Sequence, residues 1–238
     1  MIGVIGGLGP KATATFYLAL SELVAARAHG CLPPIAIQSV AMSPFIENAF
    51  LTGHVAPNSP ESIDVRRLLV DAVERLRQSG AKAIVMPCNT LQEELTTICA
   101  EKDILHIDMI AETVNVILAA KRKRVLLLGT SSTLHTDMYG RRLREHGISC
   151  VYPEDSAQRS LERIIRDALN LKNLRSSSAI VDIVATAGHD CDGVVLACTD
   201  LTGCLLEVDC GKPVFDSVTC LAESSARWIL ERRERLRS

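Results

Sequence analysis

Two segments of this chain end an apolar run in a cysteine, and this repeated arrangement suits proton-transfer chemistry. The segment AIVMPCNT presents Cys88 and the segment GVVLACTD presents Cys198. In both, a run typical of a buried strand is followed by a cysteine and small polar residues. Two thiols at matching strand ends can face each other across a cleft. A facing acid and base of the same chemical type can remove a proton from one face of a carbon and add one to the opposite face.

Each cysteine is expected to precede a helix, whose N-terminus would favour the thiolate. An ordinary cysteine has a pKa near ~8.5, and a decrease of about 1.5 units corresponds to roughly 2 kcal/mol. Asn89, Thr90 and Thr199, with the backbone amides beside them, are candidates for binding a carboxylate at those helix N-termini. Asp200 is a candidate to orient or activate Cys198; the alternative is an ordinary acid in a first helical turn.

A glycine-rich turn, Gly6-Gly7-Leu8-Gly9, follows the first strand. It departs from a dinucleotide fingerprint because Ala12 replaces the third glycine, and the second strand ends without a ribose-binding acid. We interpret the turn as a close backbone approach to a small anionic ligand; plain turn geometry is the alternative.

Strands and helices alternate along the chain, which predicts mostly parallel sheets with helices on both faces. The pattern restarts at RVLLLGTSST (124–133), which resembles IGVIGGLGP at the start, and each half has a glycine turn before its cysteine turn. This order predicts an internal duplication: two α/β units related by a pseudo-twofold axis. Ligands of such sheets bind beyond the carboxyl ends of the strands, so the site is expected in a cleft between the units. PVFDS (213–217) and the helix after it, to about Arg235, are expected to pack back on the first unit.

Composition excludes several classes of function. The 238 residues are 47 % hydrophobic and 3 % aromatic, with a formal net charge of −2, which argues against a nucleic-acid partner. No apolar stretch approaches the roughly 20 residues of a membrane span. The nine cysteines are irregularly spaced, which favours a reducing cytoplasm over a disulfide framework. No metal-ligand spacing occurs among the histidines and cysteines. We expect buried thiols at Cys31, Cys99, Cys150 and Cys220.

Taken together, IGVIGGLGPKAT (2–13), MPCNT (86–90), LLLGTSSTL (126–134), LACTD (196–200) and PVFDS (213–217) resemble the cofactor-independent aspartate/glutamate racemases. The resemblance implies two Rossmann-like domains, a homodimer, and two-base racemisation of an amino acid without pyridoxal phosphate or another cofactor. Cys88 and Cys198 would act on opposite faces of the α-carbon. We expect one domain to comprise residues 1–110 and 216–238, and the other residues 111–215.

Three departures from the family pattern are present, and the first two bear on specificity. Typical members carry an arginine in the loop after the second strand, where it grips the distal carboxylate of the substrate; residues 38–46 contain no arginine or lysine. A lysine used in the second half of those enzymes falls near Leu169, with Lys172 close by. Asp200 stands where glutamate is usual and keeps the charge. The expected substrate-binding residues are Gly7, Leu8, Gly9, Ser39, Asn89, Thr90, Thr130, Thr199 and Asp200.

Three hypotheses follow from these residues. The first is an amino-acid racemase acting on aspartate, glutamate or a related amino acid. The second is another enzyme on the same scaffold, of the hydantoin racemase, maleate isomerase or arylmalonate decarboxylase type. Both cysteines are retained, which disfavours the decarboxylase because it needs only one. The third is a non-catalytic protein that binds small molecules, which a substitution at either cysteine would have favoured.

Overall fold

The computed structural model describes residues 1–43, 46, 59–169 and 178–235, and within them the chain forms two four-stranded sheets. The first sheet has the order β2-β1-β3-β4 and the second the order β6-β5-β7-β8, with all neighbours parallel. The α/β fold with two parallel sheets is confirmed, and the common strand order agrees with a duplication. The strands are β1 (Ile2–Gly6), β2 (Ile35–Ser39), β3 (Ala83–Val85), β4 (Leu105–His106), β5 (Arg124–Leu128), β6 (Ser149–Val151), β7 (Gly193–Leu196) and β8 (Val214–Asp216).

Helices connect successive strands and cover both faces of each sheet, as is usual where neighbouring strands are parallel. A single 3₁₀ turn, Thr199–Leu201, follows β7. The α-helices in the described residues are α1 (Pro10–Arg27), α2 (Pro60–Gln78), α3 (Gln92–Glu101), α4 (Met109–Ala119), α5 (Ser131–His135), α6 (Met138–Glu145), α7 (Asp155–Leu169), α8 (Ser178–Ala187), α9 (Glu207–Cys210) and α10 (Ser217–Arg235).

Alternation along the central strands distributes their side chains between two apolar layers. Val4 of β1 lies in a buried cluster with Phe16 of α1, whereas its neighbour Ile5 packs with Leu69 of α2 and Leu95 of α3. In the second sheet, Leu126 packs toward α7 and α8, and Leu127 toward α4 and α6. Successive strand residues point to opposite faces, so a continuous apolar strand needs helices on both sides.

Local capping explains where two of the long helices begin. The Ser59 hydroxyl accepts a hydrogen bond from the Ser62 amide at 3.3 Å, and Pro60 is the first helical residue, so a serine cap and a proline in the first turn begin α2. At α10, the Asp216 carboxylate accepts from the Val218 amide at 2.9 Å and from the Thr202 hydroxyl at 3.2 Å. Asp216 therefore ties the loop after Cys198 to the start of α10.

The helix α10 crosses back to the first sheet, as predicted. It packs against α1 and α4. Its Leu221 and Ala226 belong to the same apolar cluster as Ile2 and Phe16. The first sheet is therefore covered on one face by a helix that follows the whole second sheet in the chain. The domain boundaries given above stay a prediction.

Burial of the cysteines agrees with the sequence at some positions only. Cys99 and Cys220 are buried as expected, and Cys150 is half-buried. The prediction for Cys31 was wrong: it lies in the exposed connection after α1, where the chain turns away from the core. In the described ranges, no helix combines the length and apolarity needed to cross a bilayer.

Candidate active site

Cys88 and Cys198 lie on one cleft between the two sheets. Cys88 follows β3 and Cys198 follows β7, which occupy the same position in their respective sheets. The cleft holds about 500 Å³ of space, including the part open to solvent. Its described lining residues come from both halves of the chain: Leu8, Met42, Cys88, Asn89, Thr90, Leu91, Thr130, Leu169, Ala197, Cys198, Thr199 and Asp200.

A buried glutamine holds the loop that carries Cys88. Gln92 is 0 % exposed, and its Nε2 donates to the carbonyl oxygens of Met86 at 2.8 Å and Cys88 at 2.7 Å. Its Oε1 accepts from the Met109 amide at 3.1 Å. The Gln92 side chain therefore ties the loop that carries Cys88 to the start of α4. The helix expected to follow Cys88, α3, begins only at Gln92, so its N-terminus lies about one turn beyond the cysteine.

The surroundings of Cys198 favour the thiol over the thiolate. Cys198 is 6 % exposed, and its Sγ lies 3.9 Å from Oδ2 of Asp200. Burial, followed by the charge of Asp200, raises the pKa of Cys198 well above its ordinary value. The expected decrease of this pKa was wrong, because only the single turn Thr199–Leu201 follows Cys198 and it supplies little dipole.

The two thiols also influence each other. A charge on Cys88 contributes to raising the pKa of Cys198, so the two sulfurs are close enough to interact electrostatically. Ionising both at once is unfavourable because two negative charges would share one partly buried cleft. The pair is therefore suited to carry a single negative charge, with one thiolate and one thiol.

The glycine-rich turn is held by a threonine from the next helix. Gly7 has a φ of 89°, and its amide donates to Oγ1 of Thr13 at 3.1 Å; that hydroxyl in turn donates to the Gly9 carbonyl at 3.2 Å. Gly6 leaves room for Thr13, since a Cβ at Gly6 would lie 2.5 Å from Cγ2 of Thr13. The Gly7 amide is thus occupied within the turn, and the turn presents the Leu8 side chain to the cleft.

Six of the nine predicted substrate-binding residues line the cleft. They are Leu8, Asn89, Thr90, Thr130, Thr199 and Asp200.

The other three predicted substrate-binding residues lie behind or beside the lining. A Cβ at Gly9 would lie 3.9 Å from Oδ1 of Asp200, so Gly9 marks a close approach between the two halves. Gly7 and Ser39 pack on each other behind the turn: a Cβ at Gly7 would lie 2.7 Å from Oγ of Ser39.

Sequence reasoning missed the aliphatic part of the cleft wall. Leu91 and Ala197 adjoin the two cysteine motifs, so adjacency was a usable signal for them. Met42 comes from a loop, and no local pattern distinguished it. Leu169 lies at the end of α7, and only the family resemblance had pointed to its position. Lys172, noted above as a candidate cation, lies outside the described residues. The missed lining residues are Met42, Leu91, Leu169 and Ala197.

Charge is sparse on this wall. Among the lining residues that the structure describes, Asp200 is the only acidic one, and lysine, arginine and histidine are absent. The described ranges also contain no group of three or more histidine, cysteine, aspartate or glutamate side chains arranged to hold a metal ion.

The chain is similar to known proteins over nearly its whole length. Residues 5–224 match the family model described as Asp/Glu/hydantoin racemase. The chain is 24 % identical to the broad specificity amino-acid racemase RacX of Bacillus subtilis, over 97 % of this chain and 98 % of that protein. An aspartate racemase homologue from Pyrococcus horikoshii superposes with a TM-score of 0.77 at 26 % identity, covering 96 % and 98 % of the two chains. The glutamate racemase RacE1 of Bacillus anthracis shares the fold, with a TM-score of 0.61 at 16 % identity over 98 % of this chain and 82 % of that one.

Proposed function

Because the chain belongs to the Asp/Glu/hydantoin racemase family, we propose that it is an amino-acid racemase that interconverts L and D enantiomers with Cys88 and Cys198 as paired bases. The observation that carries this proposal is the cleft that both cysteines line from equivalent strand ends. The reaction uses no pyridoxal phosphate or other cofactor. The two thiols of the cysteine pair supply both the acid and the base that the reaction needs.

The proton inventory of one turnover balances within the cysteine pair. In one direction the Cys88 thiolate takes the α-proton, and the Cys198 thiol donates its proton to the opposite face of the carbanion. The products are the other enantiomer, a Cys88 thiol and a Cys198 thiolate. The raised pKa of Cys198 supports this starting state, since Cys198 then holds its proton in the unliganded enzyme. Asn89, Thr90 and Thr199 bind the α-carboxylate and amino group and stabilise the charge that develops as the proton leaves.

Replacing Asp200 by asparagine is expected to shift the alkaline limb of the pH profile of kcat/KM to lower pH by about one unit. Turnover needs one thiol, so activity is lost above the pH at which Cys198 ionises. The Asp200 charge raises that pKa, and its removal leaves burial as the main cause of the upward shift. The measurement is kcat/KM for both enantiomers from pH 6 to about 11. The two must stay equal at every pH because the equilibrium constant of racemisation in water is one.

The control for this experiment is Glu207→Gln, which removes an exposed acid from the same half of the chain. It should leave the alkaline limb in place. An unmoved limb in Asp200→Asn would mean that Cys198 is not the group that limits activity at high pH.

We further propose that the substrate side chain is uncharged. Five of the described lining residues are aliphatic, and the one charged residue among them is an acid. A distal carboxylate placed against this wall would lose hydration and face Asp200, which is unfavourable without a cationic partner. The aliphatic residues are Leu8, Met42, Leu91, Leu169 and Ala197.

Solvent deuterium exchange tests both parts of the proposal. Dialysed protein in D₂O is given each enantiomer of alanine, leucine, methionine, aspartate, glutamate and lysine, together with a 5-substituted hydantoin. We expect deuterium at the α-carbon with inversion for the neutral amino acids, and kcat/KM at least about tenfold lower for aspartate and glutamate. Exchange confined to the acidic amino acids would overturn the side-chain assignment alone. Exchange with the hydantoin alone, or with no compound, would overturn the amino-acid racemase.

The assembly and location proposed for the enzyme are a homodimer in the cytoplasm. The large side chains of Tyr17, Leu18 and Ile37 are 40 %, 56 % and 44 % exposed on α1 and the edge strand β2, which supports an interface there. All nine cysteines lie in the described ranges and none forms a disulfide, in keeping with a reducing compartment. Sedimentation velocity measures the assembly, and a monomer at micromolar concentration would contradict the dimer.

A further inference from the structure

The side chain of Asn89 is hydrogen-bonded at both ends to partners from distant parts of the chain. Asn89 follows Cys88, lines the cleft and is 3 % exposed. The Tyr139 hydroxyl donates to its Oδ1 at 2.6 Å. Its Nδ2 donates to Oγ of Ser217 at 3.1 Å. Tyr139 lies on α6 beside the second sheet, and Ser217 is the first residue of α10.

We propose that Tyr139 is a positioning residue of the active site, which sets the orientation of the Asn89 amide and thereby directs an N–H of that amide to the substrate carboxylate. This inference rests on the proposed racemase function. An asparagine nitrogen carries two hydrogens, and Ser217 accepts one of them. The second is assigned to the carboxylate. The opposite orientation of the amide would present its oxygen to the carboxylate, and the two would repel each other.

The character of Tyr139 makes it suited to hold this orientation. Tyr139 is fully buried, at 0 % exposure. Burial raises its pKa far above the ordinary value, so the phenol keeps its proton throughout the working pH range. A buried hydroxyl with a permanent hydrogen is satisfied by donating it, and the short contact to Oδ1 is where that hydrogen goes. The ring itself is packed in the apolar cluster with Leu127 and Leu143, which limits its movement.

Tyr139→Phe is therefore expected to lower kcat/KM about tenfold, because Oδ1 of Asn89 loses its buried donor and the amide can rotate to the opposite orientation. The ring and its packing are preserved. The matched control is Tyr152→Phe, which removes a hydroxyl that donates to Oδ1 of Asp137 at 2.5 Å in the same half of the chain. Tyr152 is absent from the described lining of the cleft. Tyr152→Phe should leave kcat/KM within about twofold of the parent enzyme, even if it lowers stability.

A double-mutant cycle shows whether Tyr139 acts through Asn89. In the Asn89→Ala background, Tyr139→Phe should change kcat/KM by less than about twofold, because the amide that it positions is gone. Equal losses in both backgrounds, or no loss in the parent background, would overturn the proposal. Circular dichroism in the near ultraviolet establishes that each variant is folded.

A readout independent of activity covers the case in which no substrate is turned over. In protein labelled with ¹⁵N-asparagine, the side-chain amide signals of Asn89 are identified by their loss in Asn89→Ala. Tyr139→Phe should shift these signals, and Tyr152→Phe should not. Unshifted signals in Tyr139→Phe would overturn the positioning role. Absent turnover together with shifted signals would count against the racemase and leave the hydrogen-bonded arrangement standing.

Discussion

Replacing Cys198 by serine is expected to reduce racemisation by about 10²- to 10⁴-fold, and Cys88→Ser should do the same. A serine hydroxyl has a far higher pKa than a thiol, so it serves poorly as the base in one direction. Each variant keeps one working sulfur, which faces one enantiomer. We therefore expect residual α-deuterium exchange with a single enantiomer and with retention of configuration, and the favoured enantiomer should differ between the two variants. Proton and carbon NMR in D₂O measure exchange, and chiral chromatography measures inversion.

The control for both variants is Cys204→Ser. Cys204 is 1 % exposed and lies close to Cys198 in the chain, but it is not among the described residues that line the cleft. Its Sγ donates to the Asp200 carbonyl at 3.8 Å, a bond that a serine hydroxyl can also make. Loss of racemisation in this control would point to general damage. Equal residual exchange with both enantiomers in Cys88→Ser or Cys198→Ser would argue against a division of the two faces between the cysteines.

Gly7→Ala is expected to lower the free energy of unfolding by about 3–5 kcal/mol. Part of this effect is strain, because Gly7 has a φ of 89°. The larger part is a clash, since a Cβ at Gly7 would lie 2.2 Å from the Val40 carbonyl oxygen and 2.9 Å from the Val40 nitrogen. Those are backbone atoms, and the Val40 amide already donates to the Gly6 carbonyl at 2.9 Å. Relief would require the ends of β1 and β2 to separate.

Gly30→Ala separates the two contributions. Gly30 has a similar φ of 83°, and a Cβ there would meet no atom within 4 Å. It should cost about 1 kcal/mol, the strain alone. Urea unfolding of both variants measures the difference. A similar decrease in the free energy of unfolding for Gly7→Ala and Gly30→Ala would mean that the turn at Gly7 shifts to accommodate the added Cβ.

The fold was predictable because local signals agreed with each other. Ser59 and Pro60 are typical of a helix start, and the alternation of apolar strands with helical segments predicts parallel sheets. The equivalent positions of Cys88 and Cys198 followed from the order of motifs in the two halves. Failures came where the outcome depends on distant packing: Cys31 has an ordinary apolar-looking context, yet no neighbouring element covers it.

The site was predictable in its residues and less so in its electrostatics. Small polar residues follow Cys198 in the sequence, and they predict a helix N-terminus whose dipole would favour the thiolate. The structure has only one 3₁₀ turn after Cys198, and Oδ2 of Asp200 lies 3.9 Å from the sulfur. The contact between Tyr139 and Asn89 joins residues 50 positions apart, so no motif announces it. Interactions of this kind depend on how the two halves pack against each other, and local sequence patterns carry no information on that packing.

The placement of α10 has a consequence for synthesis on the ribosome. The layer over β1 and β3 is completed only by α10, which emerges from the exit tunnel after the entire second unit has been translated. Until then Ile2, Val4 and Phe16 lack part of their cover, so the amino-terminal half cannot reach its native state first, as vectorial folding of separate domains would allow. The first sheet must therefore complete its folding together with or after the second half of the chain.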